Sequence, residues 1–84
     1  MSKWEFMFRF SRWLNWYRVK NKITIFKMVS DFNVSLASVR GWLGGDLVPD
    51  SFTMILIFQK YGVPPFIEDI FYPSRSEKTN LIKP

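Results

Sequence analysis

The stretch that decides the fold is ITIFKMVSDFNVSLASVRGWLGG, residues 23–45. Its apolar residues recur at helical spacing through Met28 and Phe32, and the pattern then breaks. It resumes at Val39 and at Trp42 or Leu43, on the other side of Asn33-Val34-Ser35. The stretch therefore predicts two short helices joined by a tight turn.

The residues at the break, Asn33, Val34 and Ser35, each suit a turn between two helices. Asn33 tolerates a positive φ because its side chain is short and polar. Ser35 is a good N-cap, since its hydroxyl accepts a hydrogen bond from a backbone N–H inside the next helix. Val34 is apolar and is expected to fill the angle between the helices. Two helices joined in this way form a helix-turn-helix, whose second helix commonly enters a DNA major groove.

The composition excludes most kinds of active-site chemistry. The chain of 84 residues contains no cysteine and no histidine, so it lacks thiolate metal ligands and the commonest general base. Its acidic residues are scattered and assemble no catalytic constellation. We therefore predict no enzyme activity, no cofactor and no metal. No stretch approaches the roughly 20 apolar residues that span a bilayer, so no membrane partner is expected.

Positive charge is concentrated in the first third of the chain. Residues 1–27 contain seven lysines and arginines against Glu5 alone, and the remainder is close to neutral. A polyanion is therefore attracted to this part of the chain. An ordinary solvated helix face is the simpler explanation of the same charges.

Five helices are predicted, forming one all-α domain over residues 1–72 with a flexible tail over residues 73–84. The first begins at the capping box Ser2-x-x-Glu5 and runs to about Lys20, although the alternation of EFMFRF also fits a short strand. The others are expected at residues 25–32 with Thr24 as N-cap, 36–43 before Gly44-Gly45, 52–61 after Asp50 or Ser51, and 66–71. The fourth, FTMILIFQKY, is so apolar that it is predicted to be the most buried.

Apolar residues at helical spacing predict the core. The expected members are Met28, Phe32, Val34, Val39, Trp42, Ile55 and Phe58. One helix in so small a domain cannot bury aromatic rings all around itself, so some rings of the first helix are expected to face a second copy or another protein. These rings are Trp4, Phe6, Phe8 and Trp16. Arg9, Arg12 and Trp16 share one face, where an arginine can lie over the indole.

The helix-turn-helix and the segment WLGGDLVPDSFTMILIFQKYGV that follows it resemble the phage lambda repressor and Cro family. The similar features are the glycine pair, Pro49, an apolar helix ending in Tyr61-Gly62-Val63, and an acidic amphipathic turn at residues 66–71. The resemblance covers about residues 9–72. It implies a compact five-helix lambda-repressor-like domain with the helix-turn-helix as helices 2 and 3. The chain departs from the family at Ile25, Val29 and Asn33, where glutamine, alanine and glycine are usual.

Arg40 is the strongest candidate for reading a base, because a mid-helix arginine can bind guanine O6 and N7 together. A solvated surface arginine is the alternative. Gly41 either lets the backbone approach DNA or permits tight packing, since a mid-helix glycine costs about 1 kcal/mol against alanine. Ser38 can bind a base or a phosphate, and Leu36 and Ala37 can touch a thymine methyl group.

The resemblance also implies phosphate contacts at the start of the second helix, where Thr24 and Lys27 lie with Lys22 close by. Ordinary surface charge is again the alternative. The complete set of predicted DNA-binding residues is Lys22, Thr24, Lys27, Ser35, Leu36, Ala37, Ser38, Arg40 and Gly41.

These observations predict a sequence-specific regulator, a Cro-type repressor of phage or mobile-element origin, located in the bacterial cytoplasm at the nucleoid. It is expected to bind a double-stranded DNA operator as a homodimer, with half-sites about 34 Å apart, and to repress by occlusion. The alternative keeps the fold and makes the chain a protein-interaction adaptor, such as an antirepressor or an inhibitor of a host regulator. The exposed aromatic rings of the first helix favour that alternative.

Overall fold

A computed structural model describes residues 1–67, which form four α-helices and no strand. The helices are α1 (Lys3–Lys20), α2 (Ile25–Phe32), α3 (Leu36–Gly44) and α4 (Ser51–Tyr61). The all-helical prediction is confirmed for this part of the chain, with four helices in place of the predicted five. The predicted fifth helix, at residues 66–71, lies mainly outside the described residues, as does the predicted tail. None of these four helices is long and apolar enough to cross a membrane.

Each helix begins at a predicted N-cap. The side-chain oxygens of Ser2, Thr24, Ser35 and Asp50 accept hydrogen bonds, 2.8 to 3.1 Å long, from the backbone N–H three residues later. A cap of this kind contributes about 1 kcal/mol by satisfying a donor that has no partner inside the helix. The hydrogen bonds from Thr53 also lower the pKa of the Asp50 carboxyl. The Ser2 cap starts α1 as predicted, so residues 5–10 are helical and the alternative of a strand is wrong.

The hydrophobic core lies where α1 packs on α3, and α2 packs on both α3 and α4. Its buried members are Phe10, Leu14, Met28, Phe32, Val39, Trp42, Ile57 and Tyr61. The predicted core residues Met28, Phe32, Val39 and Trp42 are therefore confirmed. The predicted core residues Val34 and Phe58 are half-buried and pack against this cluster.

The helix predicted to be the most buried, α4, is buried along one face and exposed along the other. It packs through Thr53, Ile57 and Tyr61, which recur every four residues on one face. Ile55 was predicted to lie in the core, but its side chain is 54% exposed because it lies two residues, or about 200°, away from Ile57. Phe52 on the same outer face is 69% exposed. Ile57 on the inner face is fully buried, as are Phe10 and Leu14 of α1.

Aromatic rings join α1 to the later part of the chain. Phe6 stacks on Phe10 and meets the edge of Phe66, with ring centroids 6.2 and 5.6 Å apart. Tyr17 stacks on Tyr61 at 4.5 Å, which brings the last turn of α1 against the last turn of α4. Such pairs contribute about 0.5–1.5 kcal/mol beyond the area they bury. Phe6 is therefore half-buried, whereas the predicted exposure of some first-helix rings is confirmed for Trp4, Phe8 and Trp16.

The predicted contact of an arginine with the Trp16 indole is replaced by two other cation–ring contacts. Arg12 lies over the Phe8 ring at 5.4 Å from its centroid, and Lys20 lies over the Trp16 ring at 4.8 Å. Arg9 instead forms an ion pair with Glu5 at 2.8 Å. In each case the partners are four residues apart, which places them on adjacent turns of one helix face.

Tyr61 carries a hydroxyl that is buried without a hydrogen-bond partner among residues 1–67. Burial raises the pKa of Tyr61 to about 12, and the Asp31 carboxylate and the Tyr17 phenol act in the same direction. The Tyr61 ring stabilises the core by packing against the rings of Tyr17 and Phe32. The hydroxyl therefore adds a desolvation cost that a phenylalanine would not carry.

We predict that Tyr61→Phe leaves the free energy of unfolding unchanged or raises it by about 1 kcal/mol near neutral pH. The folded state holds the phenol proton more tightly than the unfolded state, whose pKa is near 10. Wild-type stability must therefore fall as the pH rises from about 10 to about 12, and this loss is missing in the variant. Urea unfolding at pH 8 and pH 11 gives the difference in the free energy of unfolding between the two proteins. The titration of lysines cancels from this difference, because both proteins contain the same lysines. An equal difference between them at both pH values would contradict the prediction.

Candidate nucleic-acid interface

The turn between α2 and α3 has the predicted conformation. Asn33 adopts the left-handed region with φ 53°, and the Val29 carbonyl accepts hydrogen bonds from the N–H groups of both Asn33 and Val34. This is the bonding that ends a helix at a left-handed residue. Ser35 then caps α3 through the Ser38 N–H at 3.0 Å. Because both ends of the turn are bonded, the start of α3 is fixed relative to the end of α2.

The third helix presents a buried face and an outer face of small residues. Val39 and Trp42 are buried in the core. Ala37, Arg40 and Gly44, which lie on the opposite side, are exposed. Arg40 is therefore the one long side chain in the middle of the outer face.

The C-terminal end of α3 is held by two polar side chains of α1. The Leu43 carbonyl accepts hydrogen bonds from Ser11 Oγ at 2.7 Å and from Asn15 Nδ2 at 2.8 Å. Such a carbonyl has no partner within its own helix, because it lies in the last turn. Ser11 is buried although it is polar. These contacts tie α3 to α1 at a point 28 and 32 residues away in sequence.

The structure gives Gly41 a packing role. The N–H groups of Asp46 and Leu47 both donate to the Gly41 carbonyl, at 2.9 and 3.1 Å, so the chain folds back over α3. A Cβ at residue 41 would lie 2.5 Å from Leu47 Cδ1, too close for any side chain there without displacing Leu47. The left-handed Gly45, φ 80°, makes this return possible. Of the two interpretations of Gly41, the structure supports tight packing, and Leu47 is the side chain that packs against it.

Arg40 lies at the edge of an open depression on the outer surface of α3. The depression has a volume of about 520 Å³ and is lined by Leu36, Ala37, Arg40, Gly41, Asp46 and Leu47. Among residues 1–67, Arg40 forms no hydrogen bond or ion pair, so its guanidinium is available to a ligand. The carboxylate of Asp46 in the same depression opposes the approach of a phosphate.

The start of α2 carries the second group of predicted residues. Thr24 Oγ1 accepts from the Lys27 N–H at 3.0 Å and caps the helix. Lys27 Nζ forms an ion pair with Asp31 Oδ1 at 2.9 Å, which partly neutralises its charge. Lys22 adopts φ 55°, a left-handed conformation that few lysines take. Because the Thr24 cap occupies the Lys27 N–H, the N–H groups of Ile25 and Phe26 are the ones that the start of α2 offers to a phosphate.

The predicted DNA-binding residues therefore fall into three groups. Lys22, Thr24 and Lys27 lie around the start of α2, Ser35 and Ser38 bond to each other at 2.9 Å at the start of α3, and Leu36, Ala37, Arg40 and Gly41 line the depression.

Sequence reasoning missed four residues that shape this surface. Ser11 and Asn15 anchor α3. Their role could have been predicted from the sequence, because they are two polar residues four positions apart that lie beside the apolar positions of the first helix. Asp46 and Leu47 cover the end of α3. No local pattern marks them, because their place depends on the return of the chain over Gly41.

No protein-family model, curated protein or solved structure matches the chain.

We predict that Ser11→Ala and Asn15→Ala each lower the free energy of unfolding by about 0.5–1.5 kcal/mol, because each leaves one donor on the Leu43 carbonyl. The double variant should lose more free energy of unfolding than the two single variants together, since the Leu43 carbonyl then keeps neither side-chain donor. Urea unfolding of the four proteins gives the coupling energy.

Asn21→Ala is the matched control for this cycle. Asn21 Nδ2 also donates to a helix carbonyl, that of Tyr17 at 2.9 Å, but Asn21 is the exposed C-cap of α1, so this hydrogen bond joins no second helix. Its removal should change stability by no more than about 0.5 kcal/mol. Strict additivity of the Ser11 and Asn15 variants would show that the two hydrogen bonds act independently.

Proposed function

We propose that the chain is a sequence-specific DNA-binding transcriptional regulator, a Cro-type repressor of phage or mobile-element origin. In this proposal α2 and α3 form a helix-turn-helix within a lambda-repressor-like domain, and α3 enters the major groove. The observation that carries the proposal is the outer face of α3, where Arg40 is exposed and forms no hydrogen bond or ion pair within residues 1–67. Ala37 and Gly44 on the same face are small and exposed, and the arginine can bind a guanine through two hydrogen bonds.

The rigid mounting of α3 supports this role. Direct readout needs a side chain whose position is fixed before DNA arrives. The turn at Asn33, the cap at Ser35 and the two hydrogen bonds on the Leu43 carbonyl hold both ends of the helix. Arg40 lies between these fixed ends.

The start of α2 supports a phosphate contact. Its free N–H groups carry the positive end of the helix dipole, and Lys22 and Lys27 add charge on either side of Thr24. Contacts of this kind position a protein on the duplex without reading its sequence. We assign them to fixing the register in which Arg40 meets a base. Binding by two copies at two half-sites and occlusion of the polymerase complete the proposed mechanism.

The direct test is selection of DNA from a random duplex pool by the purified chain, followed by fluorescence anisotropy on the enriched sequence. An enriched inverted repeat with half-sites about 10 base pairs apart supports a dimeric repressor. The salt dependence of the dissociation constant gives the number of phosphates that are contacted. Enrichment of no sequence, with equal binding to all duplexes at low salt only, would contradict the proposal.

We predict that Arg40→Ala weakens binding to the enriched sequence by about 1–3 kcal/mol and relaxes the preference at one base pair of each half-site. Arg12→Ala is the matched control, because it removes the same charge from an exposed position on α1. The control should reduce affinity for all duplexes slightly and equally. Equal effects of the two variants on the preference would show that Arg40 does not read a base.

A second candidate function assigns the same face to a protein partner. Three observations favour it: Asp46 repels phosphates, Leu47 is 50% exposed beside Arg40, and Phe26 on α2 is 70% exposed. Apolar and acidic groups beside a single arginine suit a protein surface with a lysine or arginine of its own. This candidate corresponds to an antirepressor or an inhibitor of a host regulator.

The variant Asp46→Asn separates the two functions by the sign of its effect. If DNA covers the depression, the loss of the carboxylate should strengthen binding severalfold at low salt, because a like charge is removed. The control Glu5→Gln changes the net charge equally at a position on α1, and it should have a smaller effect on DNA binding. If Asp46→Asn leaves DNA affinity at the level of this control, the depression does not face DNA.

A further inference from the structure

The outer side of α1 carries a row of five large side chains with a regular spacing. Trp4, Phe8, Arg12, Trp16 and Lys20 recur every four residues, and the three rings are 76%, 59% and 54% exposed. Residues at this spacing form one of the ridges through which helices pack against each other. We call these five residues the α1 ridge. It extends for about 24 Å along the helix, at 1.5 Å per residue.

Each of the two cations of the α1 ridge lies over the ring that precedes it by four residues. The Arg12 guanidinium lies 5.4 Å from the centroid of the Phe8 ring, and Lys20 Nζ lies 4.8 Å from that of Trp16. Both distances are within the range of a cation–π contact. The contacts hold the long cationic side chains along the helix, so less side-chain entropy is lost when a partner binds them.

The charge of the α1 ridge selects the kind of partner. It contains two cations and no acidic residue, so a second copy of the same ridge would bring like charges together. A DNA duplex offers phosphates to the cations but no apolar surface to the three exposed rings. An interfacial membrane helix separates its cations and its rings onto different faces, whereas here Arg12 lies between Phe8 and Trp16 on successive turns.

We propose that the α1 ridge binds an acidic amphipathic helix of another protein. Apolar side chains of that helix pack against Trp4, Phe8 and Trp16, and its carboxylates pair with Arg12 and Lys20. Packing of one four-residue ridge against another gives a crossing angle near −50°. This site lies on a different helix from the depression beside Arg40, so the inference does not depend on the proposed DNA binding.

The test uses the whole chain and a synthetic helical peptide as long as α1, with leucines along one face and glutamates beside them. The four tryptophans give four indole N–H signals in a nitrogen-correlated NMR spectrum. Trp4 and Trp16 belong to the α1 ridge, whereas Trp42 is buried and Trp13 is half-buried against the core. We expect the peptide to shift the signals of Trp4 and Trp16 and to leave those of Trp13 and Trp42 in place. A peptide with glutamine in place of each glutamate should bind at least about tenfold more weakly.

Two charge reversals provide the matched comparison. Arg12→Glu and Lys60→Glu give chains of identical net charge, and both positions are exposed. Arg12→Glu should weaken peptide binding about tenfold, and Lys60→Glu, which lies on α4, should leave it within about twofold of the wild type. Lys20→Glu serves as a second ridge variant if Arg12→Glu proves unstable to heat.

Three results would overturn the inference. The first is equal weakening by Arg12→Glu and Lys60→Glu, which would mean that only net charge matters. The second is a shift of all four indole signals together, which would place the contact elsewhere or reflect unfolding. The third is that vesicles of neutral and anionic phospholipid shift the Trp4 and Trp16 signals while the acidic peptide does not, which would make the α1 ridge a membrane contact.

Discussion

The hydrogen bonds from Ser11 and Asn15 to the Leu43 carbonyl are the contacts on which the candidate interface depends. The last carbonyls of a helix need partners from outside the helix, and here α1 supplies them. The contact therefore satisfies a local requirement of α3 and fixes its place on α1 at the same time. From this fixed end, the chain turns at Gly45 and returns over Gly41, which positions Leu47 and Asp46.

The outer surface divides into regions with different charge and polarity. The depression beside α3 combines a carboxylate and apolar groups with Arg40, which has no ion-pair partner among residues 1–67. The α1 ridge combines three rings with two cations. The outer face of α4 presents Phe52 and Ile55 with Gln59, an exposed polar residue without charge. Residues 1–67 therefore expose apolar side chains in three separate regions.

Local structure was predictable because it depends on contacts close in sequence. All four observed N-caps bond a residue three positions away, and Asn33 and Gly45 take left-handed conformations where short or missing side chains permit them. The helix boundaries followed from these caps to within a residue or two. The prediction failed in choosing which face of α4 is buried. Apolar residues occur on more than one face of this helix, so their spacing does not identify the buried face. Ile55 was therefore predicted to lie in the core although it faces outward.

The amino-acid sequence by itself determined the all-helical class, the caps, the turn between α2 and α3, and most of the core residues contributed by those two helices. These features depend on spacing and on residue chemistry within one or two turns. Only the tertiary structure decided which aromatic rings of α1 are exposed, what anchors α3 and what covers Gly41. Those outcomes depend on pairs such as Asn15 with Leu43, whose partners lie far apart in the chain and meet only after the helices have packed.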